Sequence, residues 1–189
     1  MFVRDKMKNK VQAYIFLLPF LFFAGCQEVP DYDTVPSIQF ENITKKVGID
    51  GFGQALVDSI FITVKFEDGD ANLGLSQEQL EADTIKYSGK FKDNFHVDFF
   101  VKRGEEFVKV ESQVSTGGRF GPLADENYVG PIDGTLTHDF TLVHGLLAAD
   151  TSFDFREGDT AKFTVTINDR DLNESNIIET PEIQILVEP

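Results

Sequence analysis

The chain has 189 residues, of which 41% are hydrophobic and 19 are phenylalanine, so it can build one folded domain with an apolar core. It carries 17 basic and 32 acidic residues, a formal net charge of −15. Such a surface repels nucleic-acid phosphates and favours divalent cations, which argues against a nucleic-acid partner.

The first 25 residues have the layout of a secretory signal peptide, with basic residues, then an apolar run, then small residues before Cys26. The residues from Phe23 to Cys26 (FAGC) resemble the lipobox of bacterial lipoproteins. The resemblance implies that Cys26 is lipidated and becomes the mature N-terminus. Two other interpretations remain open: a signal peptide with an incidental cysteine, and a membrane-spanning anchor, which the short run and Pro19 disfavour.

Residues 26–36 form an acidic, proline-bearing segment that follows the only cysteine of the chain. Gln27 stands where an Asp retains many lipoproteins at the inner membrane, so the resemblance implies an outer-membrane lipoprotein, on the periplasmic face or at the cell surface. The segment is either a solvated tether or a surface-export signal, because early acidic residues resemble those of surface lipoproteins from Bacteroidetes-type bacteria.

Residues 37–189 contain short runs of alternating apolar and polar residues that predict antiparallel strands. The clearest strand is Asp58–Phe66, and Phe95–Val101 with Phe107–Glu111 predicts a hairpin. Further strands are predicted at residues 37–43, 135–143, 153–155, 161–167 and 183–187, with a turn at 50–53 and a capped helical turn at 76–81. Residues 112–134 form a long glycine-rich loop, either functional or mobile.

Seven to eight strands with a turn about every ten residues predict an all-β fold. We expect a two-sheet antiparallel sandwich of the immunoglobulin or fibronectin type III kind behind the signal peptide. A closed barrel is the second choice, because the number of strands also permits it. The domains are therefore residues 1–25 (signal peptide), 26–36 (lipidated cysteine and tether) and 37–189 (sandwich).

Two polar loops carry side chains suited to a cation. In an immunoglobulin-like sandwich the loop after the second strand and the loop before the last strand emerge at the same end, where the chain also enters the first strand. The oxygen-bearing side chains are Asp68, Asp70 and Asn72 in the first loop, and Asp169, Asp171 and Asn173 in the second. Ca²⁺ takes six to eight such oxygens from flexible loops, so a calcium site is expected, with metal-free polar turns as the alternative.

The same loops carry a family resemblance. Together with the stretch between them, they are similar to a group of uncharacterised lipoproteins from Bacteroidetes-type bacteria. The matching stretches are FEDGDANLGL, GGRFGPL with GPIDGTL, and INDRDLNESNIIETPEI. The resemblance implies a location and a fold, and no activity.

Catalytic patterns are missing from the sequence. His96, His138 and His144 lack zinc-binding spacing, and no GxSxG elbow is present, so we expect a non-enzyme. The function expected is a lipid-anchored cell-envelope module for binding, accessory or adhesion roles, stabilised by Ca²⁺. The alternative is a glycan-binding lipoprotein of a nutrient-uptake system. Partners would then be an envelope protein or a glycan, the latter through Phe100, Phe120 and Tyr128.

Overall fold

The protein is described here from a computed structural model, which describes residues 29–49, 56–111, 116–125, 127–143, 155, 158–185 and 187. Within these residues there are eight strands and one short helix. In chain order they are β1 (Ser37–Ile49), β2 (Leu56–Asp68), α1 (Gln77–Ala82), β3 (Phe95–Arg103), β4 (Glu106–Lys109), β5 (Ile132–Val143), β6 (Thr160–Ile167), β7 (Ile178–Glu179) and β8 (Ile183–Gln184). A 3-10 turn at Gly89–Lys92 precedes β3.

The strands form two antiparallel sheets. The first has the order β1-β2-β5, and the second has the order β4-β3-β6-β7, with β8 pairing β6. This is the strand arrangement of a fibronectin type III sandwich, so the predicted fold class is confirmed. The two sheets share no strand, and the alternative of a closed barrel is therefore wrong.

The core lies between the sheets and is built from alternate residues of β2, β3 and β6. The ring of Phe163 stacks on Phe99 at a centroid distance of 5.2 Å and meets Phe140 edge-on at 5.3 Å. The buried apolar positions of the three strands are Ile60, Ile62, Val64 and Phe66; Phe95, Val97, Phe99 and Val101; and Ala161, Phe163, Val165 and Ile167.

The first strand is longer than the sequence predicts. The ladder between β1 and β2 shifts register between Phe40 and Asn42 and then continues to Ile49. This bulge changes which side chains face inward, so the amine of Lys45 reaches buried Asp58 at 3.4 Å. In the sequence, a lysine at that position indicates that the strand has ended. In the structure, Lys45 instead lies within the strand and forms an ion pair with Asp58.

Several local predictions can be compared with the structure. Ser76 and Gln79 form the expected capping box of α1. The strand expected at 183–187 is described only as the short β8, and β7 was not predicted; Pro181, which has no N–H to donate, lies between them. The turn at 50–53 and most of the strand predicted at 153–155 lie outside the described residues, as do Cys26 and His144. No helix among the described residues is long and apolar enough to cross a membrane.

Candidate functional site

The two acidic loops meet at one end of the sandwich, which is called the acidic end below and comprises Asp68–Asn72 and Asp169–Asn173. Leu73 and Asp169 form an isolated antiparallel bridge. The backbone N–H of Arg170 donates to the carbonyl of Asn72 at 3.2 Å, and Asn72 Nδ2 donates to Asp171 Oδ2 at 3.2 Å. The structure therefore brings the two loops together as predicted, although about a hundred residues of sequence separate them.

The two loops share one local structure, Asp-x-Asp-x-Asn with its fourth residue in the left-handed region. Ala71 has a φ of 59° and Leu172 a φ of 70°. In each loop the first aspartate accepts from the backbone N–H four residues later. The distances are 3.1 Å from Asn72 to Asp68 Oδ2 and 2.8 Å from Asn173 to Asp169 Oδ1. Each aspartate therefore holds its own turn closed.

The two leading aspartates differ in how their second oxygen is used. Asp169 Oδ2 accepts from Asn173 Nδ2 at 2.8 Å. Asp68 is fully buried, and its Oδ1 has no hydrogen-bond partner in the described structure. Asn72 Oδ1 is also buried without one. Its amide is oriented by Nδ2, which donates to Asp70 Oδ2 at 3.1 Å as well as to Asp171.

The charge on Asp68 is poorly accommodated. Burial raises the pKa of Asp68 to about 6, and the nearby negative charge of Asp70 and, less strongly, of Asp169 adds to the rise. Hydrogen bonds from the backbone of Asn72 and Ala71 act in the opposite direction. Among the described residues no lysine or arginine forms an ion pair with Asp68.

Arg170 ties the loops together, a role that the sequence did not suggest. Its Nε donates to the carbonyl of Asn72 and its Nη2 to the carbonyl of Ala71, both at 2.9 Å. The guanidinium therefore binds backbone oxygens of the first loop and not its carboxylates. Only the register of the two loops, set by the Leu73–Asp169 bridge, places it there.

The chain enters the sandwich at the acidic end. The N–H of Gly69 donates to the carbonyl of Asp33 at 2.8 Å. A Cβ on Gly69 would lie 2.3 Å from the carbonyl oxygen of Tyr32, so only glycine allows this approach. Burial and the charge of Asp133 raise the pKa of Tyr32, whose side chain also hydrogen-bonds Asp133 beside the start of β5.

The long loop crosses the same end in its described part. The side chain of buried Asn94 pairs with the backbone of Phe120 at both ends, donating to its carbonyl at 2.9 Å and accepting from its N–H at 2.8 Å. Gly74, at a φ of 90°, lies so close to Gly121 that a Cβ would be 2.1 Å from the Gly121 carbonyl oxygen. Residues 120–123 are thus fixed to Asn94 and to residues 73–75, directly after the first acidic loop.

Lysines from the segment between α1 and β3 contact the second acidic loop. Lys86 Nζ lies 3.6 Å from Asp171 Oδ1, and Lys90 pairs with Glu174. The hydroxyl of Tyr87 donates to the carbonyl of Arg170 at 3.1 Å. Asp171 is therefore shared between Lys86 and Asn72 at the outer edge of the site.

The histidines and aromatic residues considered in the sequence have local partners. His96 Nε2 lies 2.6 Å from Asn168 Oδ1, and His138 Nε2 lies 2.9 Å from the carbonyl of Thr116. Phe100 is half-buried on β3, Phe120 packs against the core, and Tyr128 is 47% exposed. None of these contacts by itself indicates a glycan platform.

Within the described ranges, no three His, Cys, Asp or Glu side chains form a ready-made metal centre. A cation at the acidic end would therefore need amide oxygens as well as carboxylates. No protein-family model, curated protein or solved structure matches this chain.

Proposed function

We propose that this protein is a lipid-anchored β-sandwich module of the cell envelope, held at an outer membrane through Cys26 and serving a binding, accessory or adhesion role. The resemblance of its signal segment and loops to Bacteroidetes-type lipoproteins supports the location. We further propose that the acidic end faces the bilayer. The observation that carries this orientation is the docking of Tyr32 and Asp33 onto Gly69.

The length of the tether limits how far the acidic end lies from the membrane. Asp33 lies seven positions after Cys26, and an extended chain over seven residue steps spans at most roughly 25 Å. The strand β2 runs from this end over 13 residues, a length of roughly 40 Å. An anchor at Cys26 therefore keeps the acidic end close to the lipid, while the other end extends away.

The opposite end is the one available to partners in this orientation. β3 begins next to Gly118 at the acidic side and ends at Arg103, so the turn into β4 lies at the far end. Glu105 and Glu106 in that turn are exposed. A partner in the envelope would meet this end first.

Anchoring is tested by expressing the full chain in a bacterium that processes lipoproteins. Wild type is expected in the membrane fraction with the mass of a diacylated or triacylated Cys26, and Cys26→Ser is expected to lose that mass and leave the membrane. Retention of Cys26→Ser in the membrane fraction would refute the anchor.

Orientation is tested on the lipidated chain in vesicles that carry a lipid-linked fluorescence quencher. Cys26 is the only cysteine, so after lipidation an introduced cysteine is the single thiol for a fluorophore. Ile85→Cys, at a side chain 87% exposed beside Lys86, reports on the acidic end, and Glu105→Cys reports on the far end. Quenching is expected to be several-fold stronger for the first label; the reverse order would contradict the orientation.

A further inference from the structure

Two buried oxygens at the acidic end lack the hydrogen bonds that such atoms require. They are Asp68 Oδ1 and Asn72 Oδ1, and they belong to one five-residue loop. Buried acceptors are almost always satisfied by protein, water or an ion, because their desolvation is otherwise uncompensated. The side chains are held in place, since Asn72 N–H donates to the other oxygen of Asp68 and Asn72 Nδ2 donates to two carboxylates.

We infer that the first acidic loop binds one Ca²⁺ ion through Asp68 Oδ1 and Asn72 Oδ1. The nearby carboxylates of Asp70 and Asp169 add negative charge around the ion. Asp171 and Asn173 then support the site without being its main ligands. Lys86 holds Asp171, and the Asn173 amide donates to Asp169. This inference goes beyond the anchoring proposal and does not depend on Cys26.

Among the residues that the structure describes, no lysine or arginine pairs with Asp68 in place of such an ion. Arg170 donates to the carbonyls of Ala71 and Asn72, so it removes two backbone oxygens from the possible ligands and leaves the side-chain oxygens unmatched.

The chemistry of the loop favours Ca²⁺ over Mg²⁺. All available ligands are oxygens, which both ions accept. Mg²⁺ requires near-octahedral geometry and gives up its waters reluctantly, whereas Ca²⁺ tolerates irregular sets of six to eight oxygens. A ligand atom that is buried, as Asp68 Oδ1 is, requires the ion to lose water on that side. The probe for this site is therefore Ca²⁺ itself.

The test is thermal unfolding of the purified full chain in chelator, in Ca²⁺ and in Mg²⁺. Because an ion that binds only the folded state stabilises it, Ca²⁺ a hundredfold above its Kd is expected to raise the Tm by roughly 5–10 °C. Mg²⁺ is expected to leave the Tm nearly unchanged. An equal response to both ions, or no response to Ca²⁺, would overturn the assignment.

The variant Asp68→Asn separates a ligand from a merely structural side chain. It removes the charge at nearly constant shape, so the Ca²⁺ response is expected to vanish while the Tm in chelator rises or stays level. Asp98→Asn, on the outer face of β3 in an ion pair with Lys109, is the matched control and is expected to keep the full response. A full Ca²⁺ response in Asp68→Asn would refute the site, and an intact response in Cys26→Ser would show that it is independent of the anchor.

Discussion

The two acidic loops have the same backbone conformation but differ in how the side-chain oxygens of their first aspartates are hydrogen-bonded. Both read Asp-x-Asp-x-Asn, both have their fourth residue in the left-handed region, and both are closed by the first aspartate. In the second loop the asparagine amide returns to Asp169, so the turn satisfies itself. In the first loop the amide of Asn72 points to Asp70 and Asp171, which leaves Asp68 Oδ1 without a donor.

This difference shows that sequence spacing alone does not identify a cation site. The same pattern gives a self-satisfied turn in one place and an incomplete one in the other, and the direction of a single asparagine amide distinguishes them. Asp70 of the same loop and Asp171 of the neighbouring loop together fix that direction, because they accept from Asn72 Nδ2 at 3.1 Å and 3.2 Å. The second loop thus shapes the first.

The largest expected effect on stability comes from breaking the hydrogen bonds that close the second acidic loop. Asp169→Asn replaces an oxygen that accepts from Asn173 Nδ2 by a second donor. We expect the free energy of unfolding to fall by about 2–3 kcal/mol, measured by urea denaturation in chelator. Glu174→Gln, an exposed neighbour in the same loop, is the control and should cost less than about 1 kcal/mol. Equal losses in both variants would mean that Asp169 is not a structural cap.

The incomplete loop should make stability depend on pH. The pKa of Asp68 is raised from 3.8 to about 6, so between these values the folded state binds more protons than the unfolded one. Stability of the metal-free protein should therefore fall as the pH rises from about 4 to about 7, by about 2–3 kcal/mol from this group. The measurement is the difference between wild type and Asp68→Asn in chelator. A difference that does not change with pH would contradict the prediction.

The same substitution in the first loop should act in the opposite sense to that in the second. At pH 7 in chelator, Asp68→Asn removes a buried charge that lacks a counter-ion. We therefore expect the free energy of unfolding to rise by about 1–2 kcal/mol. This is less than the cost of ionising buried Asp68, because the substitution also weakens the hydrogen bond from Asn72 N–H. Urea denaturation of the two variants side by side tests this, and a loss of stability in Asp68→Asn would remove the contrast between the loops.

Removing the Arg170 guanidinium should cost less stability than Asp169→Asn, since Arg170 is half-exposed. Arg170→Met keeps much of the side-chain length and removes both bonds to the first loop, and we expect a loss of about 1–2 kcal/mol. Arg119→Met, which removes an exposed bond to Gln77, serves as the control. Hydrogen exchange at the Arg170 amide should also accelerate; unchanged exchange would show that the loops stay paired without the guanidinium.

The smallest expected effect concerns backbone conformation. Ala71→Gly relieves a left-handed residue of its Cβ, so stability should rise by about 0.5 kcal/mol. Ala82→Gly at the end of α1 has no such strain to relieve and should lower stability by a similar amount of about 0.5 kcal/mol. Opposite signs for the two variants, seen in Tm, would confirm the assignment of strain to the loop.

The sequence predicts the sheets well because alternation is a local signal. Ile60, Ile62, Val64 and Phe66 are buried as their spacing requires, and the meeting of the two loops follows from the strand order of the fold. The bulge near Phe40 is not visible in the pattern, so β1 is predicted too short.

Contacts that depend on register were missed for the same reason. Nothing local indicates that Asn94 pairs with Phe120, or that Arg170 reaches the carbonyl of Ala71. These contacts join residues far apart in the chain, and they exist only once both loops have folded. Whether an asparagine amide donates back to the first aspartate of its own loop, as Asn173 does, or leaves its oxygen buried without a partner, as Asn72 does, is likewise a tertiary property.

The course of β1 has a mechanical consequence for an anchored protein. The strand starts at the acidic end and pairs with β2 along its length from Ser37 to Ile49. At its start, the side-chain amide of Asn176 accepts from the N–H of Ile38 and donates to its carbonyl. A pull between the lipid and a partner at the far end would act along these strands. Their hydrogen bonds lie perpendicular to that direction and would share the load together rather than open one after another.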